Sequence, residues 1–219
     1  MANKLGMIAC VLLVGALQGC LTDTTKGSAM NKIIINERAS CRLEVQLLQI
    51  TTDLLKIRYT FGNHSAQNVY LFNRLYNKID GKKFLTNVNN VYIDFEQNKS
   101  VISKKIFPVP MDLDVERSIV PCASLVKPGA TIAETLEIQL PLVPVNPYRN
   151  LKNLAELPQK VDLWFEVGYV TLPPDGERLA VNVDTLDGLS YYFGSFPADK
   201  QMLLRAGPLP NKVPANLPK

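Results

Sequence analysis

The chain has 219 residues, with 24 Lys and Arg against 20 Asp and Glu, for a net charge of +4. The excess is mild and spread along the chain, which argues against nucleic acid as a partner. Pro is abundant at 15 residues, and the aromatics recur at strand-like spacing, which favours an all-β domain over a helical one.

Taken in order, the chain opens with Lys4 and an uncharged apolar run from Leu5 to Leu17, followed by Gln18, Gly19 and Cys20. A basic start, a short apolar run and small residues at the cleavage point describe a secretory signal peptide. The run is about 13 residues, whereas a spanning helix needs roughly 20. No second run is long enough to span a bilayer. Leu17, Gly19 and Cys20 resemble the lipobox of bacterial lipoproteins: an aliphatic residue, small residues, then cysteine. The resemblance covers the leader alone. It implies that Cys20 receives a diacylglyceryl group on sulfur, that the leader 1–19 is removed there, and that the new amino terminus is acylated, as with palmitate. Each buried methylene contributes about 0.8 kcal/mol, so two or three chains hold a protein far longer than one. Leu21 and Thr22 follow, not an aspartate, which by the same resemblance implies outer-membrane sorting, facing the periplasm, if the cell has an outer membrane.

Residues 20–35 read as a lipid-attached flexible tether, with Ile33-Ile34-Ile35 a candidate first strand. Cys41 to Ile50 alternates: Leu43, Val45 and Leu47 on one face, Arg42, Glu44 and Gln46 on the other. Thr51-Thr52-Asp53 turns the chain into the clearest pattern. There Leu55, Ile57, Tyr59 and Phe61 oppose Lys56, Arg58 and Thr60, which is a half-buried strand. Gly62-Asn63-His64-Ser65 breaks it. Gln67 to Tyr76 carries large side chains on both faces and reads as a central strand. A strand, then Phe61-Gly62-Asn63-His64-Ser65, then a valine-containing strand is similar to many bacterial immunoglobulin-like modules. That resemblance implies a sandwich and no function.

Asp80-Gly81 signals a turn. Val91 to Phe95 and Lys99 to Phe107 suggest a hairpin around Glu96-Gln97-Asn98, ended by Pro108 and Pro110. Met111 to Pro121 reads as irregular. Ala130 to Leu140 is a long strand, with Ile132, Leu136, Ile138 and Leu140 on one face and Glu134 as the exception. Asn150 to Leu157 suggests one or two helical turns. In Val161 to Leu172, Val161, Leu163, Phe165, Val167 and Tyr169 alternate with Asp162, Trp164, Glu166 and Gly168. Arg178 to Val183 and Leu189 to Phe193 suggest a hairpin, and Lys200 to Arg205 a last strand. Residues 207–219, with Pro208, Pro210, Pro214 and Pro218, read as an extended tail. The sum is an all-β, immunoglobulin-like antiparallel β-sandwich over 36–206, with an elaborated middle and little helix.

Beyond Cys20, two cysteines remain in the processed chain, Cys41 and Cys122. In an oxidising compartment the simplest reading is a disulfide. Its loop of about 80 residues would contribute roughly 4.5 kcal/mol on the chain-entropy account. Two free buried thiols and a metal site are the alternatives. The metal site lacks partners, because His64 is the only histidine and no Cys-x-x-Cys exists.

The chemistry-bearing residues give no motif. His64 lies in a polar turn, and adjacency to Ser65 does not make a triad. Asp112, Asp114 and Glu116 offer oxygens to a hard cation but are spaced more closely than a calcium loop and lack its glycine, and they read as a solvated loop. Asp184 and Asp187 read as turn caps. Tyr191, Tyr192, Phe193 and Phe196 read as core before binding patch. Lys82-Lys83, Lys99 and Lys104-Lys105 offer charge to anionic lipid, but read first as a protected strand edge. No catalytic, cofactor or metal residue is assigned. The expectation is a lipid-anchored, non-catalytic envelope module, attached to the membrane through Cys20, that binds or braces another envelope protein. A protease-inhibitor-like or small-ligand-binding sandwich using the turns at Asn63 and Pro108–Pro121 is the alternative, ahead of a carboxylate-dependent hydrolase.

Overall fold

A computed structural model describes residues 32–151 and 153–219. Cys20, the leader and the tether up to residue 31 lie outside the described residues. The strands are β1 (Ile33–Arg38), β2 (Cys41–Ile50), β3 (Leu54–Asn63), β4 (Val69–Arg74), β5 (Tyr76–Asp80), β6 (Lys83–Thr86), β7 (Tyr92–Glu96) and β8 (Lys99–Lys104). They continue with β9 (Cys122–Val126), β10 (Thr131–Gln139), β11 (Gln159–Thr171), β12 (Val181–Thr185), β13 (Gly188–Tyr192), β14 (Met202–Ala206) and β15 (Val213–Ala215). Two short 3-10 helices, Pro174–Leu179 and Ala198–Lys200, are the helical content among the described residues.

The chain is all-β and sandwich-like, as its alternating segments predict. One sheet runs β1-β2-β3-β10. The other is long and curled, in the order β5-β6-β12-β13-β9-β4-β11-β8-β7, with β14 and β15 also on β11. Pairing is antiparallel except between β8 and β11 and between β6 and β12, two departures from the expected antiparallel scheme.

The first sheet forms because three segments alternate in phase. Leu43, Val45 and Leu47 lie opposite Phe61, Tyr59 and Ile57 on the β2–β3 ladder. Ile132 and Leu136 of β10 lie opposite Phe61 and Ile57 on the other side. The face so made is sealed by β11, whose Val161, Leu163, Phe165, Val167 and Tyr169 are all buried. Two ring contacts join the sheets: Tyr59 to Phe165 at 4.9 Å between centroids, and Phe61 to Tyr169 at 5.3 Å. Such pairs contribute about 0.5–1.5 kcal/mol each beyond the area they bury.

β4 is central, as its two-sided apolar sequence predicts. It sits between β9 and β11. Val69 and Leu71 face the main core, while Tyr70 and Phe72 enter a second, aromatic core. There Phe193 meets Tyr70 at 5.4 Å and Phe72 at 5.6 Å, edge to face. The C-terminal aromatic cluster is thus packing and not a docking patch.

Four expectations are corrected. β3 continues through Gly62 and Asn63, where a break was expected. The segment 150–157 has no helix among its described residues; Leu154 forms an isolated bridge with Pro218 instead. The Pro-rich end is no free tail, because Leu209, Val213 and Ala215 are buried and β15 pairs with Gln159–Val161 of β11. Finally, Cys41 and Cys122 are both buried and both free. Cys41 starts β2 opposite Asn63 in the first sheet, and Cys122 starts β9 opposite Arg74 in the second.

Candidate functional site

The one charged residue predicted on an apolar face, Glu134, is the hub of a polar cluster between the sheets. β10 turns it inward, opposite Tyr59, and it is 9% exposed. One carboxylate oxygen accepts from Asn73 Nδ2 at 2.8 Å and lies 3.0 Å from an Arg74 guanidinium nitrogen. The other accepts from the Tyr59 hydroxyl and lies 3.4 Å from Lys104 Nζ. Lys104 is fully buried and donates to the carbonyls of Asn73 at 2.9 Å and Val88 at 2.7 Å. Arg74 reaches on to Asp187 at 3.5 Å, and Asp187 accepts from Thr86 Oγ1 at 2.7 Å.

The cluster holds two carboxylates and two cations, so its formal charge cancels. Burial pulls the Lys104 amine down to about 8, against the pull of Glu134, which favours the charged form. Burial first, and then the Glu134 carboxylate, pushes the Tyr59 hydroxyl well above the usual tyrosine range. Both oxygens of Glu134 have donors, and Lys104 has three acceptors about it. The arrangement is suited to fixing the register of the sheets rather than to passing protons to a substrate. Adjacency in sequence puts Lys104 and Lys105 together as a basic surface pair. The structure separates them: Lys104 points inward and Lys105 lies on the opposite face of the sheet.

That opposite face carries a second cluster. Glu166, buried on the outer side of β11, pairs with Lys105 and with Arg205 Nε at 2.7 Å. Arg205 also grips Glu96 through two nitrogens, at 2.9 and 3.0 Å. These bonds hold the Glu96 carboxyl below its ordinary range. Beside them Gln201 bonds the backbone of Ile106 in both directions, at 2.9 and 2.6 Å. Gly168 makes room for this: a Cβ there would lie 2.2 Å from Gln201 Oε1. Lys99 sits over the Trp164 ring, 5.6 Å from its centroid. Of the lysines that offered charge to anionic lipid, Lys104 and Lys105 are thus spent on ion pairs, while Lys99 stays exposed beside Trp164 and Lys82 and Lys83 stay exposed at the β5–β6 turn.

The Asn63 turn is a buried staple. Asn63 Oδ1 accepts from Ser65 N at 2.9 Å and from Ser65 Oγ at 2.6 Å. Its Nδ2 donates to the carbonyls of Gln67 and Val126, both at 2.8 Å. Ser65 Oγ is thus engaged with Asn63. The backbone N–H of His64 donates to Ser40 O at 2.8 Å, holding the β1–β2 turn, where Ala39 and Ser40 adopt φ of 49° and 61°. Side chains rarely take that conformation, and two bonds onto the turn's flanks support it: this one and Tyr169 Oη to Arg38 O at 3.0 Å. An open depression of about 550 Å³ lies here between Arg38, Arg42 and His64. Arg42 is committed to Glu37 at 3.2 Å and Glu44 at 2.7 Å.

The remaining predicted residues do not converge. Asp112 pairs with Arg149 on the surface, and Asp114 and Glu116 stay on the same irregular loop. Asp187 serves the inner cluster, whereas Asp184 faces out. Among the described residues no three His, Cys, Asp or Glu side chains gather as metal ligands. Burial pushes the Cys122 thiol up to about 12 and raises Cys41, so both behave as small apolar side chains. No family model, curated protein or solved structure matches the chain.

Proposed function

We propose that the protein is a lipid-anchored module of the cell envelope that binds or braces another envelope protein, held to the outer membrane's periplasmic face by acyl chains on Cys20. The observation that carries this reading is the Leu17-Gln18-Gly19-Cys20 stretch after an apolar run too short to span a bilayer. The sandwich that starts at Ile33 agrees with it, because the thirteen residues from Cys20 to residue 32 suffice for a tether of about 40 Å when extended. Support also comes from the saturation of the polar clusters, whose carboxylates and cations are spent on each other.

The test is Cys20→Ala expressed in a Gram-negative host. The wild type is expected in the membrane pellet with a mass increase of a diacylglyceryl and an acyl group at Cys20. The variant is expected in the soluble periplasmic fraction. An unmodified Cys20 in the wild type, or membrane retention of the variant, overturns the reading.

A further inference from the structure

Among the described residues four strands end the two main strand orders, β1, β10, β5 and β7, and three of them are closed or blunted. β1 meets β14 through Asn36 Nδ2, which bonds Arg205 O at 2.7 Å. β7 is covered where Ile93 exchanges both backbone bonds with Val145, at 3.0 and 2.9 Å. β5 carries a register shift between Tyr76 and Lys78, and Lys78 itself. A bulge and a lysine are the usual devices that stop a sheet from pairing further.

β10 carries neither a bulge nor a lysine, and its one cover is the Asn89 side chain near its end. Its ladder with β3 is unbroken over nine residue pairs, without Pro or Lys. The bonds at its ends fix which groups face out. Asn63 N donates to Ala130 O, and Leu140 N donates to Asp53 O, so the even-numbered residues bond β3. The odd-numbered ones then direct N–H and C=O away from β3. Glu137 agrees, because its outward N–H is taken by the Asn89 side chain at 2.9 Å. Among the described residues nothing bonds the outward backbone groups of Ala133 or Thr135. Along this edge the exposed positions Thr131 and Ala133 are small and uncharged, and Glu137 is neutralised by Lys56 at 2.7 Å. Beyond Asn89 the edge borders a mostly apolar slot of about 310 Å³, lined by Val91, Ile93, Ile138, Val143 and Val145 among others. Val143 and Val145 are each 40% exposed there.

We infer that β10 is the docking edge for the partner: an extended peptide segment of another protein adds to it as a further strand, and places an apolar side chain in the slot. This rests on the reading of the protein as a binding module and names the surface and the chemistry it uses. Unpaired backbone donors and acceptors in a row are matched by another backbone, and an added strand turns alternate side chains toward the seam between the sheets. The Asn89 amide holds the place of one partner carbonyl and yields to the incoming strand. A second copy of this chain fits less well. Antiparallel pairing of β10 with itself about Ala133 would use only Thr131–Thr135 and set each copy's Asn89 loop beside the other's Pro128–Gly129 turn, with far less area than the roughly 1,000 Å² of a stable dimer.

The test uses the full chain and a synthetic probe, an acetylated and amidated peptide of three Thr-Val repeats closed by a lysine. Amide hydrogen exchange is read with and without peptide, and affinity is measured for the wild type, Thr135→Pro and Ala133→Lys. Thr135→Pro removes an N–H that the β3 ladder does not use. Ala133→Lys adds an edge lysine and keeps every backbone bond, so it serves if the proline variant does not fold. The expected result is exchange at Ala133 and Thr135 slowed about tenfold by the peptide, and affinity lower by about tenfold or more in either folded variant. Protection confined to other strands, or unchanged affinity in a folded variant, overturns the inference. So does wild-type dimerisation in sedimentation that Thr135→Pro abolishes, since the occupant would then be a second copy. None of these results bears on Cys20 acylation, so failure of the edge and failure of the envelope reading are told apart.

Discussion

The molecule contains two ion-pair clusters of the same composition, two acids and two bases, on opposite faces of one sheet. The inner one joins Glu134, Lys104, Arg74 and Asp187 between the sheets. The outer one joins Glu166, Lys105, Arg205 and Glu96 on the far side of β11. Lys104 is completely buried, whereas the Arg205 side chain is 33% exposed. Equal formal charge does not give equal consequence. A cluster away from water loses most when one member is removed, because the others stay charged with nowhere to turn. In the outer cluster Glu166 is buried too, but its partners Arg205 and Glu96 reach solvent, which takes over part of their pairing.

Glu134→Ala strikes the inner cluster at its hub. It leaves Lys104 without a carboxylate, and Arg74 with Asp187 alone. The expected loss is about 3–5 kcal/mol in chemical denaturation. Glu134→Leu combined with Lys104→Met removes acid and base together and is expected to cost less than Glu134→Ala alone. If the double change costs more, the cluster is adding net stability and not only specifying register.

Much of this was legible in the sequence, and the reasons are local. β2, β3 and β11 each alternate over seven or more residues because one face lies on the core, and period two survives in such strands. Glu134 stood out as the one acid on an apolar face, which marked the inner cluster; its partners Asn73 and Lys104 come from strands far away in sequence and gave no signal. β9 was missed because five residues with Cys, Ala and Ser show no clear alternation. β15 was hidden by prolines: Pro214 lies opposite Lys160 in a three-residue strand, a place where the missing N–H is tolerated. Asn150 to Leu157 has helix-like spacing, yet Leu154 is drawn to Pro218 by the chain end that lies over it.

Alkaline titration sharpens the comparison further. The Lys104 amine titrates near 8 in the folded protein and near its ordinary value of 10.5 in the unfolded chain. Between those values the unfolded chain binds the extra proton, so the lysine's contribution to stability rises with pH. Measured against Lys104→Met, the wild type is expected to gain stability from pH 8 to 10.5 and to show a flat difference below that window. Comparing the two proteins cancels the buried tyrosines and thiols common to both. A difference that stays flat throughout would show that the amine remains charged beside Glu134.

The outer cluster gives a smaller response of another kind. Glu166→Gln keeps the shape and leaves Arg205 its two bonds to Glu96, so the expected cost is about 1–2 kcal/mol. Salt separates the two clusters. At 1 M the screening length is about 3 Å, so the cost of Glu166→Gln should shrink there, while that of Glu134→Ala should not. Equal salt sensitivity would mean that water reaches both.

The smallest expected effect is a null one. Were a disulfide tying β2 to β9, reductant would lower the melting temperature by many degrees. Both thiols are free, and the link between these strands' neighbourhoods is made by Asn63, whose side chain crosses from β3 to Val126 of β9. Reductant is therefore expected to leave the melting temperature unchanged to within about 1 °C, and Cys41 and Cys122 should both react with a thiol reagent once the chain is unfolded. Asn63→Ala should then cost about 1–3 kcal/mol, because it strands the Val126 and Gln67 carbonyls. A large drop on reduction with a small one for Asn63→Ala would transfer the tie from the amide to the cysteines. The two polar clusters would then be holding register in a fold already fixed by a covalent bond.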